Sequence, residues 1–402
     1  MAELHLCSPA GFRASGVYAG IKTNQAPDVG MLVCDVPCPA AAVFTTNKVV
    51  AAPVKVGREH MVRGRLHGVV VNSGNANACT GRQGEKDARQ MCFLAAITIG
   101  CQADLILPSS TGIIGHLLPM EKLERGIAHA GHSLGRDHEH ATRFADAILT
   151  TDTSRKQAAI AFKLGRQRVT LAGVCKGSGM IGPRLAPPQA TLLAYVTTDA
   201  AASPAVLRKL LARAAVASFN AVTIDDHTST NDTCAILASG LSGAKVDSPR
   251  AAKAFAAALD DVCQSLAYQL AADGEGATKV VRITVRSTPD ERAARSIARA
   301  IANSPLVKCA MHGNDPNWGR IVSAAGYAGV AFDPDKCSLA LQETAVFRNG
   351  RPIAFDAAAL SRKLDAPEVR VVLDCRLGTA EATCWTCDLS KEYVAINAEY
   401  HT

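Results

Sequence analysis

Arg168-Val169-Thr170-Leu171-Ala172-Gly173-Val174-Cys175 runs into Lys176-Gly177-Ser178-Gly179-Met180-Ile181-Gly182, a strand-like stretch followed by the pattern G-x-G-x-x-G. In a dinucleotide-binding fold a helix must begin at that pattern and turn its N-terminus toward a pyrophosphate. The next residues are Pro183-Arg184-Leu185-Ala186-Pro187-Pro188. Three prolines so close together prevent the helix, because each lacks an amide donor and its ring clashes with the preceding turn. After Gln189-Ala190 the chain enters the apolar run Thr191-Leu192-Leu193-Ala194-Tyr195-Val196. The stretch therefore reads as strand, loop, strand, and the nucleotide-binding reading fails.

Outward from it, short β-branched runs alternate with Ala/Leu/Arg-rich stretches, which predicts layered α/β structure. Strands are expected at 68–72, 168–175, 191–196, 233–237, 279–286 and 369–374. In the fifth, Val281, Ile283 and Val285 share one face and Arg282, Thr284 and Arg286 the other, so it covers a core on one side. Ser203-Pro204 predicts a helix start, with a capping hydroxyl and proline at the first helical position. Thr288-Pro289-Asp290-Glu291 predicts another, with Thr288 as cap and Glu291 completing a capping box. A third helix is expected over 251–272, where Phe255, Leu259, Val262 and Leu266 recur at helical spacing and form a core stripe.

Composition narrows the function. The chain has 402 residues, 48% of them apolar and 20% charged, which is ordinary for a soluble globular protein of two or three domains. A net charge of +7 comes from scattered residues, and aromatics make up 4%, so nucleic-acid binding is not expected. No apolar run is long enough to cross a bilayer, and Met1-Ala2-Glu3-Leu4-His5-Leu6-Cys7 lacks a basic-then-apolar signal. The fourteen cysteines accordingly read as reduced thiols of a cytoplasmic protein.

Small polar residues, glycine and proline gather at 72–81, 108–115, 176–188, 225–233, 273–278 and 313–319. Such loops cost backbone entropy, and several in one chain suggest a shared site on a rigid scaffold. At the second edge of 176–188, Thr191 could attack the carbonyl of Ala190. Hydrolysis of the ester would leave Thr191 as a new N-terminus whose α-amine, with a pKa of about 8, can take the proton of its own hydroxyl. Taken alone, Thr191 also reads as a β-branched residue opening a strand. Cys384-Trp385-Thr386-Cys387 has metal-ligand spacing but no second pair near it, and an alternating strand gives the same pattern, so no metal is expected. Asp225-Asp226-His227 reads as a solvated turn, and His129, His132, His138 and His140 as a surface loop.

Lys176-Gly177-Ser178-Gly179-Met180-Ile181 with Ala190-Thr191-Leu192-Leu193-Ala194-Tyr195-Val196-Thr197-Thr198-Asp199-Ala200 resembles the self-cleavage region of the ornithine acetyltransferase (glutamate N-acetyltransferase) family of arginine biosynthesis. Further segments recur in the same order: Gly11-Phe12-Arg13, Phe44-Thr45-Thr46-Asn47, Asn72 through Gly81, Ser110-Thr111-Gly112, Thr150-Thr151-Asp152-Thr153, Thr228 through Thr233, Asp273 through Lys279, Asp315 through Arg320 and Asn397 through Thr402.

The resemblance implies an αββα-type sandwich core shared by two cleavage fragments. Residues 1–190 would form the first fragment, 191–285 would complete the core, and 286–402 would be a smaller C-terminal α/β domain closing the substrate site. Ala190 and Thr191 would flank the cleaved bond. Thr191 would be the nucleophile, and the Thr111 hydroxyl and Gly112 N–H the oxyanion hole. Thr150, Lys176, Thr191, Glu275, Asn397 and Thr402 would bind the amino-acid substrates, N-acetylornithine and glutamate. No cofactor is implied, because the exchange passes acetyl between amines through acetyl-Thr191. The partner of each fragment would be the other, in an α2β2 heterotetramer.

Two departures stand out. Thr191 lies fifteen residues after Lys176, four more than the family's usual spacing, and Asp225-Asp226-His227 replaces its usual Asp-Gly-Asp. A related hydrolase, or an uncleaved relative without catalysis, are the other readings of the same chain.

Overall fold

The computed structural model describes residues 3–182 and 192–399. Thr191, Ala190 and Thr402 lie outside the described residues. The chain divides into two units; of the described residues, 3–177, 192–220 and 228–266 belong to the first, and 178–182, 221–227 and 267–399 to the second.

The first unit is built on β1 (Phe12–Val17), β2 (Val29–Phe44), β3 (Arg65–Asn75), β4 (Ile106–Ile113), β5 (Lys156–Leu164), β6 (Gln167–Lys176), β7 (Leu193–Thr198) and β8 (Thr233–Ala238). Their order is β4-β3-β2-β8-β7-β6-β5, with β1 also on β2. The long β2 joins two layers. Val29 to Val33 pair with β3, the register breaks between Val33 and Cys38, and Ala40 to Phe44 pair with β8. A bulged strand that changes sheets is how two layers are folded over one another.

Alternation along these strands makes the layers. Leu32, Cys34, Val69 and Val71 point into one cluster with Val174, Leu193, Tyr195, Ala235 and Leu237, the core between the two halves. Val29, Met31, Val33 and Val70 point the other way and pack against helices. Those helices are drawn from α1 (Ala52–His60), α2 (Gly81–Ile99) and α3 (Met120–His132), while α4 (His138–Ala147) sends the buried Phe144 against Tyr195, ring centres 5.6 Å apart. On the opposite side α5 (Pro204–Ala217) packs on β2, and Val262 and Leu266 of α6 (Pro249–Ala272) lie against β6. At Gly173 a methyl would stand 3.0 Å from Leu266 Cδ1, so the bare glycine lets helix and strand approach. The result is an αββα sandwich.

The second unit holds β9 (Val280–Thr288), β10 (Ser338–Leu341), β11 (Thr344–Arg348), β12 (Arg351–Pro352), β13 (Glu368–Asp374) and β14 (Ala380–Cys387), ordered β12-β11-β10-β13-β9-β14. Its helices are α7 (Glu291–Asn303), α8 (Pro305–His312), α9 (Trp318–Gly326), α10 (Ala357–Leu364) and α11 (Lys391–Glu399). Val281, Ile283 and Val285 are buried in its core with Ile297 and Ile301 of α7, as the alternation predicts.

Several expectations need correction. Ser203 does cap α5, accepting the Val206 amide, but Thr288 ends β9 and Asp290 caps α7 by accepting the Ala293 amide at 2.7 Å. The Thr288 hydroxyl is already committed to the carbonyls of Asp290 and Ala380. Glu291 thus stands in the first turn, paired with Arg295, and no capping box forms. Residues 72–75 and 108–113 belong to strands instead of loops, pairing from Val70–Pro108 to Gly74–Gly112 before the register shifts at Asn75. The four histidines lie on α3 and α4, not in a loop, and the strand expected from Thr191 is described from Leu193.

Candidate active site

Ser110, Thr111 and Gly112 sit near the end of β4, parallel to β3, with Ser73 opposite Thr111 and Gly74 opposite Gly112. A Cβ on Gly112 would lie 2.3 Å from the Gly74 carbonyl carbon, and its φ is +130°, so only glycine fits. Buried amides fix this strand end. Asn72 Oδ1 accepts from Ser110 Oγ at 2.6 Å, and Asn231 Nδ2 donates to the Ser110 carbonyl at 2.9 Å.

Lys176, the last residue of β6, is 8% exposed and donates through Nζ to Thr111 Oγ1 at 3.2 Å. An ammonium donating to that oxygen leaves the hydroxyl proton directed elsewhere and polarises the O–H bond. Thr111 is thereby a stronger donor toward a developing negative oxygen. Sequence spacing brought these residues together only through resemblance; the β3–β4 register places Thr111 and Gly112, and the fold brings the end of β6 to them.

A residue the sequence reading did not single out organises the same end of β6. Asp152 is buried, and its Oδ1 accepts from Lys156 Nζ at 2.6 Å and from the Gly177 amide at 2.6 Å. Its Oδ2 accepts from the Thr150 amide at 3.0 Å. Burial pushes this carboxyl upward, but the charges of Lys176 and Lys156 and these hydrogen bonds outweigh it and hold it at about 2. Thr150 is therefore placed through its backbone by the carboxylate that also anchors Gly177. The Thr150-Thr151-Asp152-Thr153 motif carried the signal.

In the second unit, Glu275 is 8% exposed and accepts from Asn397 Nδ2 at 2.8 Å. Gly179 makes room for it: a Cβ there would come within 2.3 Å of the Glu275 carboxylate. Asp225 accepts the amides of Met180 at 2.7 Å and Ile181 at 2.8 Å and the Tyr393 hydroxyl at 3.4 Å, so it pins the residues after Lys176. Burial, followed by the neighbouring Asp225 and Glu275, raises the Tyr393 hydroxyl to about 12. Asp226, where the family's usual residue is glycine, has φ +57° and pairs with Arg299 at 3.1 Å; His227 is exposed. Cys384 and Cys387 fall in β14, where three residues of separation put them on opposite faces.

Residues 13–402 match the ArgJ family. The chain belongs to that family. The arginine biosynthesis bifunctional protein ArgJ of Symbiobacterium thermophilum is 47% identical over 399 residues, 98% of each chain. Its namesake in Bacillus cereus is 41% identical over 400 residues, 99% of this chain and 97% of the other. A crystal structure of ArgJ from Bacillus halodurans is 42% identical, covers 46% of this chain and 95% of its own, and has a TM-score of 0.44. Among the described residues all fourteen cysteines are free thiols, and no helix is long and apolar enough to cross a membrane.

Proposed function

We propose that the protein is a self-processed acetyltransferase that moves acetyl from N2-acetylornithine to glutamate. The observation that supports this most directly is Lys176 Nζ donating to Thr111 Oγ1 beside Gly112, a polarised hydroxyl and a backbone N–H at one strand end.

In the first half-reaction the Thr191 hydroxyl attacks the acetyl carbonyl, its proton passing to the Thr191 α-amine. Thr111 and Gly112 donate to the oxyanion. Collapse breaks the amide C–N bond, the proton goes to the departing amine, and ornithine leaves acetyl on Thr191. Glutamate's amine then attacks that ester and leaves as N-acetylglutamate, restoring the hydroxyl. Lys176 and Thr150 are assigned to the substrate backbone, and Glu275, held by Asn397, to the side-chain ammonium of ornithine. Thr402 completes the substrate-binding set. We assign residues 1–190 and 191–402 as the two fragments, in an α2β2 assembly in the cytoplasm.

Incubating the purified protein with acetylornithine and glutamate should yield acetylglutamate and ornithine in equal amounts. Free acetate in place of acetylglutamate would make it a hydrolase, and an uncleaved, inactive chain would remove the proposal.

A further inference from the structure

Asp388 follows β14 directly in the second unit and is 2% exposed, and hydrogen bonds surround its carboxylate. Oδ1 accepts the amides of Thr278 at 2.7 Å and Lys279 at 3.0 Å, and Oδ2 accepts the Thr278 hydroxyl at 2.7 Å. A fourth donor comes from α8: His312 Nδ1 stands 2.7 Å from Oδ2, and because a carboxylate only accepts, that nitrogen carries the proton. Burial pushes the Asp388 carboxyl upward, but the Thr278 hydroxyl and amide, His312 and the Lys279 amide outweigh it and hold it below its ordinary 3.8. The group is therefore an anion at neutral pH.

The loop it holds, residues 273–279, carries Glu275. Inside the loop the Ala277 amide donates to the Gly274 carbonyl at 2.8 Å, and the Glu275 amide donates to the Ser178 carbonyl at 2.9 Å. The chain end that supplies Asp388 grips the loop twice more. Ser390 Oγ donates to the Gly276 carbonyl at 2.6 Å, and Asn397 Nδ2 to the Glu275 carboxylate at 2.8 Å. Gly276 has φ +68°, and a Cβ on it would stand 2.5 Å from the Tyr393 nitrogen, so the loop backbone lies on α11 itself. Of the three grips, Asp388 alone is buried and charged, whereas Ser390 is half-buried and Asn397 exposed. Charge-assisted bonds are roughly twice as strong as neutral ones, and water competes least for a buried group. Asp388 thus fixes the loop three residues from Glu275.

A carboxylate that receives an ammonium gains most when it is already aimed, and a displacement of about 1 Å is enough to lose much of that gain. We propose that Asp388 is a positioning residue for substrate discrimination: by fixing the Thr278–Lys279 backbone it aims the Glu275 carboxylate at the side-chain ammonium of ornithine and acetylornithine. This rests on the role given to Glu275 above.

The test uses full-length wild type, Asp388→Asn and Thr278→Val. Asparagine keeps the volume but has one acceptor oxygen, and its NH2 group faces donors; valine removes only the Thr278 hydroxyl. Calorimetry compares ornithine with 2-aminopentanoate, which has the same α-carboxylate and α-amine but no side-chain ammonium. Wild type should prefer ornithine. In Asp388→Asn that preference should shrink about tenfold or more while the affinity for 2-aminopentanoate stays within about twofold, and in Thr278→Val it should shrink about threefold. KM for acetylornithine should rise more than kcat falls. A wild-type preference that Asp388→Asn leaves intact, or equal weakening of both ligands, would overturn the positioning role. If Asp388→Asn is insoluble, Thr278→Val decides, and an unchanged preference there overturns it as well. A wild type with no preference for ornithine would remove the role of Glu275 and this one with it. The expected pattern in a protein that transfers no acetyl would instead refute the reaction and leave the positioning role standing.

Discussion

Thr111 serves as hydrogen-bond acceptor to Lys176 in the resting site and, in the proposed reaction, as donor to an oxyanion. Thr111→Ala removes the donor without disturbing the β3–β4 register, so kcat should fall about a hundredfold or more while KM changes little. Steady-state kinetics with acetylornithine decide it, and a change confined to KM would make Thr111 a binding group. Asp152 carries a different consequence. Its carboxyl is held at about 2, below the ordinary 3.8, so the folded chain keeps a charge that the unfolded chain loses in acid. Stability from this source is complete above about pH 4 and drains away as pH falls toward about 2. Asp152→Asn should flatten that limb of a urea-unfolding series. It should also cost about 3–5 kcal/mol at neutral pH by breaking the buried Lys156–Asp152 ion pair. A limb as steep as in the wild type would assign the acid sensitivity to other carboxylates.

At the level of elements, α6 packs on β6 through its apolar stripe. Phe255, Leu259, Val262 and Leu266 are all buried, and Leu266 meets β6 at Gly173. Leu266→Ala should therefore destabilise the protein by about 2–5 kcal/mol, lowering the urea midpoint with the slope unchanged. A loss below about 1 kcal/mol would mean that the helix closes the gap. By the same logic the cap of α7 resides in Asp290 and not in Thr288, because Thr288 still belongs to β9 and it is the Asp290 carboxylate that reaches the Ala293 amide.

For the molecule as a whole, the strand that would open the second fragment is locked from both sides. β7 pairs antiparallel with β6 from Leu193–Lys176 to Thr198–Leu171, and parallel with β8 from Leu193–Thr233 to Thr198–Ala238. Scission at Ala190–Thr191 removes none of these bonds. The two fragments should migrate as separate bands on a denaturing gel, yet elute together from a native column and unfold in one transition. Their separation without denaturant would show that the interstrand pairing is too weak to hold them.

The apolar alternation of β9, the helical stripe of α6 and the hydroxyl-proline start of α5 were all legible in sequence, because each depends on neighbours within a few residues. Thr111, Gly112, Lys176, Glu275 and Asn397 could be named from the ordered motifs of the family, without any distance between them. Only the fold could show that Lys176 reaches Thr111 and that Asp152 gathers Lys156, Thr150 and Gly177. Local sequence sets φ, ψ and which face is apolar. The meeting of residues 74 and 112, and of 111 and 176, depends on strand order and on how the layers stack, and those are fixed when the apolar faces of distant segments are buried against each other.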